Sequence, residues 1–234
     1  MKRITAIMVV FLLAALGLAD QAQAQRYRKK EISLISFKLY VDPDYRAKLE
    51  SYSNLFPEPQ ASSKVNKIDN LILYTSWDII KRRLEGEVGM IILPIDAYGD
   101  KFSYDMYGFP DISINKALSK GRSKYYIKLD LELVPEHSAK YTTQNHVDSA
   151  RKIVQLKEDE IKPKVVAKLT IYSDKGIVPV ANCVGEATTK SIITLSSSFF
   201  DGVVNSSIKP SAETLYNLID KASQQLIISV YENK

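Results

Sequence analysis

The stretch Ser123 to Val134, S-K-Y-Y-I-K-L-D-L-E-L-V, alternates without a fault. Tyr125, Ile127, Leu129, Leu131 and Leu133 fall on one side of an extended chain, and Tyr126, Lys128, Asp130 and Glu132 on the other. Successive side chains of a strand point to opposite faces, so this period predicts a strand with one buried and one wet face. Neither face carries a recognisable catalytic set. The chain must build a sheet, and the cover for its apolar face has to come from elsewhere in the sequence.

Two stretches have the period that such a cover needs. Over Lys67 to Leu84, the residues Ile68, Leu71, Ile72, Trp77, Ile80 and Leu84 recur at three- and four-residue spacings. Asn66 suits the N-cap, Lys81-Arg82-Arg83 suits the last turn and Gly86 the stop. Ser211 to Val230 repeats the pattern with Leu215, Leu218, Ile219, Ala222, Leu226 and Val230, with Ser211 as its cap. A shorter helix is expected over Ile112 to Lys120, ending at Gly121.

Further strands follow from the same reading. Glu31 to Val41 sets Ile35, Phe37, Leu39 and Val41 against Ser36, Lys38 and Tyr40, and Asp42-Pro43-Asp44 stops it. Gly89 to Ile95 is the continuous apolar run of a strand buried on both faces, and the strand–helix–strand order implies parallel pairing. Val165 to Tyr172 and Ile177 to Thr188 read as a hairpin about Ser173-Asp174-Lys175-Gly176, with Gly176 at positive φ. Pro179 puts the second of these strands at an edge or a bulge. The fold class is α/β (α+β): a mixed sheet of about five strands packed by two long helices and one short helix. The polar segments 42–66 and 135–160 are expected surface loops, with a helical turn near Tyr45 to Tyr52 and a surface helix over Val147 to Leu156. Phe199-Phe200 requires burial or a partner.

The N-terminus bounds the compartment. Lys2 and Arg3 precede an almost wholly apolar run from Ile4 to Leu18, and Ala22-Gln23-Ala24 follows at A-x-A spacing. That layout predicts a secretory signal peptide over 1–24, leaving a single α/β domain over 25–234. The apolar run is shorter than the roughly 20 residues of a spanning helix, and no later stretch is long and apolar enough to span. No cysteine stands near the cleavage site, so lipid anchoring on Cys is excluded there. The expected location is the periplasm or the extracellular space. Removing Lys2, Arg3 and Asp20 lowers the formal charge of +5 by one. In an exported chain that excess points weakly to anionic lipid or envelope polymer and away from nucleic acid. Cys183 is the sole cysteine, so an intramolecular disulfide and multi-cysteine zinc sites are excluded.

Chemistry-bearing motifs are few. The chain has no phosphate-cradling glycine loop, no H-E-x-x-H and no G-x-S-x-G. A thiol protease would have to join Cys183 to His137 or His146, and both histidines lie in a polar loop without metal-ligand spacing. Asp96, Asp100, Asp105 and Asp111 alternate with Tyr98, Tyr104 and Tyr107 in the loop after Ile95. Their spacing does not match a calcium loop. No cofactor is expected. The candidate binding residues are Tyr98, Asp100, Tyr104, Asp105 and Tyr107, as aromatic residues among acids on a binding lip.

A helix bearing Trp77-Asp78 leads to the run ending Leu93-Pro94. The helix Ile112 to Lys120 leads to the Tyr125–Leu133 strand, and a charged loop leads to Val165–Tyr172 and Ser173-Asp174-Lys175-Gly176. In this order of elements the chain resembles the small α/β domain of the TolB N-terminal domain, the LpoB-like lipoprotein activators of penicillin-binding proteins and the curli secretion protein CsgG. The likeness spans about Glu31 to Tyr231. Lys120-Gly121-Arg122-Ser123 departs from the Gly-Ala-Asp junction of that group, and the lipid-anchoring cysteine is missing. A leader ending Ala-Gln is also similar to those of exported proteins of Bacteroidetes. No residue role carries over. Export, a cored fold, long polar loops and the lack of a catalytic motif point instead to a non-enzymatic envelope protein that binds or assists another envelope protein or polymer. The residues leave two alternatives open: an envelope hydrolase on acids of the 96–111 loop, and a carrier of a small ligand bound by Tyr98, Tyr104 and Tyr107.

Overall fold

The computed structural model describes residues 26–57, 65–136, 145–147, 153–155, 160–210 and 213–232. The expected leader 1–24, His137 and Ser211 lie outside them.

The architecture is α/β, built on a five-stranded mixed sheet in the order β2-β1-β3-β7-β8. β3 (Tyr125–Pro135) is its central strand. β1 (Glu31–Val41) runs parallel to β3 on one side, and β7 (Pro163–Ser173) runs antiparallel on the other. The short β2 (Ile91–Ile92) is parallel to β1 at one edge, and β8 (Pro179–Thr188) is antiparallel to β7 at the other. Two small pairs lie outside this sheet. One joins β4 (Asn145–Val147) to β5 (Ile153–Gln155), and the other joins β6 (Glu160–Ile161) to β9 (Ile193–Thr194). Val147 and Ile153–Gln155 are therefore strand where the sequence suggests a surface helix over Val147 to Leu156, the rest of which lies outside the described residues. His146 falls in β4.

Ile127, Leu129, Leu131 and Leu133 of β3 are buried as their alternation requires, against Ile32 and Phe37 of β1 and Leu169 and Ile171 of β7. Two helices cover this face: α2 (Lys67–Arg83), capped by the Asn66 side chain, and α4 (Leu215–Glu232). α4 lies over β7 and β8 and touches α2. Thr214 caps α4, its hydroxyl accepting from the Asn217 amide at 3.4 Å. α2 does not stop at Gly86. It continues through a π-turn over Leu84–Val88 to Gly89, which adopts the left-handed conformation. Phe199 and Phe200 are buried in this core.

The opposite sheet face is only half wet. Tyr126, expected on the solvent side, is 1% exposed. It joins Ile35, Phe102, Ile112 and Ala117 in a second, smaller apolar cluster beneath α3 (Ile114–Lys120). Ile35 reaches that face because β1 carries a bulge between Leu34 and Ser36, which reverses the phase of the strand. Lys128, Asp130 and Glu132 remain half-buried, and Lys168 pairs with Glu132 across the strands.

Three more expectations change. The run 89–95 pairs only over Ile91–Ile92, at an edge, and Ile91 is 47% exposed, because Pro94 has no amide to extend the ladder. Gly176 does not adopt a positive φ. Segment 42–57 is docked rather than loose: α1 (Pro43–Glu50) follows the Asp42 cap and buries Tyr45 and Leu49, and Phe56 is buried beyond it. Pro179 does sit beside a register shift on an edge strand, and Cys183 is a buried core residue opposite Leu169.

Candidate functional site

The segment between β2 and α3 wraps around the sheet edge, and this wrapping makes the site. Leu93 donates to the Ile32 carbonyl, and Pro94 then turns the chain away. The chain crosses to the outer face, where Tyr98 stacks on Phe102 at 4.5 Å. It returns to the core side at Phe109, which packs edge-on against Phe37 at 5.2 Å. Asp111 then bridges Ser36, and its carboxylate pairs with Lys38 at 3.4 Å. This loop shields part of an edge of β1 that β2 is too short to cover.

The five candidate residues separate into two groups. Tyr98 is a pin. Its oxygen accepts from the Arg122 amide at 3.0 Å and lies 2.8 Å from the Ser123 hydroxyl, which in turn meets the buried Ser33 hydroxyl. Burial pushes the Tyr98 phenol up, but these hydrogen bonds outweigh it and the net shift is downward. Asp105 organises a turn, accepting from the amides of Tyr107 and Phe109 at 2.9 Å each. Burial raises its carboxyl, and the amides only partly offset that. Tyr107 donates to Asp69 at 3.2 Å and receives the Tyr74 hydroxyl on its carbonyl at 2.9 Å. Asp69 also takes Arg46 at 2.5 Å, so α1, α2 and the loop meet at one carboxylate.

Asp100 and Tyr104 do something else. They line a cleft of about 510 Å³ together with Trp77 and Lys81 of α2, Leu93 to Asp96, Gly99 and Gly108. Trp77 and Lys81 are one helical turn apart and form one wall. Asp96, Asp100 and Tyr104 belong to the facing loop. The Tyr104 hydroxyl is sealed from solvent and has no hydrogen-bond partner among the described residues. Burial, and then the charges of Asp96 and Asp100, push this phenol up. Lys81 is held only loosely, 3.9 Å from Glu85. The cleft thus offers carboxylate acceptors, an ammonium donor and two rings. Among the described residues no cluster of three or more His, Cys, Asp or Glu side chains has the geometry of a metal site.

Sequence reading missed Trp77, Lys81, Leu93, Pro94 and Ile95 as cleft residues. Their sequence positions explain Trp77 by the core stripe and Lys81 by the helix dipole, so neither stands out. The available signal was Pro94, which forces the chain off the sheet edge beside that helix face.

No protein-family model and no curated protein matches the chain. Among solved structures, the hypothetical protein CT253 from Chlamydia trachomatis is similar at a TM-score of 0.42 and 9% identity, over 87% of this chain and 96% of that one. A neuraminyllactose-binding hemagglutinin homolog from Helicobacter pylori is similar at 0.32 and 7%, over 88% and 83%. A PelC dodecamer from Paraburkholderia phytofirmans is similar at 0.31 and 11%, over 89% and 90%.

Proposed function

We propose that this protein is an exported envelope protein that binds rather than transforms its ligand, and that the cleft between α2 and the 93–108 loop is the binding site. The carrying observation is the lining of the cleft, which sets carboxylates and an ammonium beside two rings. Asp96, Asp100 and Lys81 there favour a polar ligand with hydrogen-bond donors, and Trp77 and Tyr104 supply an apolar surface, the combination that suits envelope sugars and short peptides. The hydrolase alternative narrows to Asp96 and Asp100, since Asp105 is spent on its turn and Asp111 pairs with Lys38.

The test is ligand-observed NMR with soluble fragments of envelope glycan and peptide, on the native protein and on an Asp96→Asn/Asp100→Asn variant. Binding that the variant loses is expected. Equal binding by both proteins would move the site elsewhere, and turnover of any fragment would favour the hydrolase.

A further inference from the structure

One end of the sheet concentrates positive charge that neither the core nor the cleft uses. The strand register fixes what gathers there. Glu31 lies opposite Ile91, Ile32 opposite Tyr125, Tyr125 opposite Ser173 and Tyr172 opposite Pro179. β1, β2 and β3 therefore begin where β7 turns back into β8.

Three segments supply the charge. The lead into β1 carries Arg26, Arg28, Lys29 and Lys30, all exposed. The α3–β3 junction adds exposed Lys120, Arg122 and Lys124, and the β7–β8 turn adds Lys175. Against these eight cations the same segments hold two acids, Glu31 and Asp174, and Lys124 takes Asp174 at 2.9 Å. Their net charge exceeds the +5 of the whole chain. The excess is thus local, and the rest of the molecule is close to balanced.

The same end exposes aliphatic side chains. Ile177 and Val178, adjacent at the hairpin tip, are 54% and 73% exposed, and Ile91 beside the start of β1 is 47% exposed. Exposed aliphatic residues within a basic rim suit the boundary of an anionic bilayer, where apolar tips enter the headgroup layer and cations meet phosphate.

We infer that this end of the molecule, from Arg28 and Lys30 across Arg122 to Lys175, Ile177 and Val178, docks on an anionic lipid surface. A bilayer is favoured over a soluble anionic polymer because a polymer gives the exposed Ile177–Val178 tip nothing to enter. The docking does not depend on the cleft.

The core of the described residues begins at Tyr27, so chain 25–234 keeps every core contact among them. Its co-sedimentation with phosphatidylcholine vesicles carrying about one-third phosphatidylglycerol tests the inference, with phosphatidylcholine alone as the comparison. Binding is expected only to the anionic vesicles, and it should weaken with salt. Arg122→Glu/Lys175→Glu should weaken it at least about twenty-fivefold, at roughly fivefold for each basic residue lost. Ile177→Ser/Val178→Ser should also weaken it. Lys190→Glu/Lys209→Glu, the same charge change away from this end, should leave it unchanged. Absence of binding to anionic vesicles, equal loss in the two charge variants, full binding by the tip variant, or capture by dextran sulfate without vesicle binding would each overturn the inference.

Discussion

Gly185 of β8 lies directly beneath the backbone of Ala222 in α4. A Cβ added at Gly185 would stand 2.1 Å from the Ala222 carbonyl oxygen and 2.2 Å from the Leu226 amide nitrogen. The helix can lie this close because β8 turns small residues, Ala181, Cys183 and Gly185, toward it. Neither backbone atom can move without shifting the helix. Gly185→Ala should therefore cost about 3 kcal/mol, the upper range for overpacking a tight core. Urea unfolding checks this, with a lower midpoint at unchanged slope as the expected result.

Tyr104→Phe should act in the opposite sense. It deletes a sealed hydroxyl that has no partner among the described residues, so the ligand-free protein should gain about 1 kcal/mol. Thermal melts of the two proteins test this, and a loss of stability in the variant would show that the hydroxyl is already satisfied.

The phenols of Tyr107 and Tyr126 are pushed up to about 12 from an ordinary 10.0, in both cases first by burial. The fold thus favours the neutral phenol. Its contribution is full below pH 10 and declines as pH climbs through 10 toward 12, where the unfolded chain ionises first. Tyr126→Phe should flatten the fall in urea midpoint over that window relative to the native protein. Identical pH profiles would count against a buried neutral Tyr126.

Arg83 joins α2 to α4 through Asp220 at 2.7 Å and also takes Glu87 at 2.5 Å, yet its partners are substantially exposed. Water and salt screen such pairs, so Asp220→Asn should cost less than about 1 kcal/mol and less still at high salt. Guanidinium and urea unfolding of the same variant should therefore give unequal losses, since guanidinium is itself a salt.

The sheet could be read from the sequence because its strands obey one simple period. β3 and β7 alternate over most of their length, β7 breaking at Val166, and the regular apolar face of each is buried, although Tyr126 and Val166 on the other face are buried too. The bulge in β1 was also written in the chain, since Ile32 and Leu34 are out of phase with Phe37, Leu39 and Val41, and one reversal at Ile35 reconciles them. Starting the count at Ile35 hides it. Tyr126 could not be placed from its own strand, because its burial depends on Phe102 and Ile112 arriving from elsewhere. The cleft was half legible for the same reason. Asp100 and Tyr104 stand out as an acid and an aromatic in a loop. Trp77 and Lys81 stand on a helix, and only the fold brings the two segments together.

The parallel pairing of β1 with β3 has a consequence for how the chain is made. Ser33 of β1 and Ser123, just before β3, meet though they are 90 residues apart. A chain that emerges N-terminus first, from a ribosome or through a membrane channel, releases the apolar Glu31–Val41 strand long before its partner exists. The β7–β8 hairpin, by contrast, can form as soon as it appears. Closing so large a loop is slow, so the order of emergence is opposite to the expected order of folding. The first strand out must wait, with its apolar side uncovered, and it is the segment that a holding chaperone would be expected to grip.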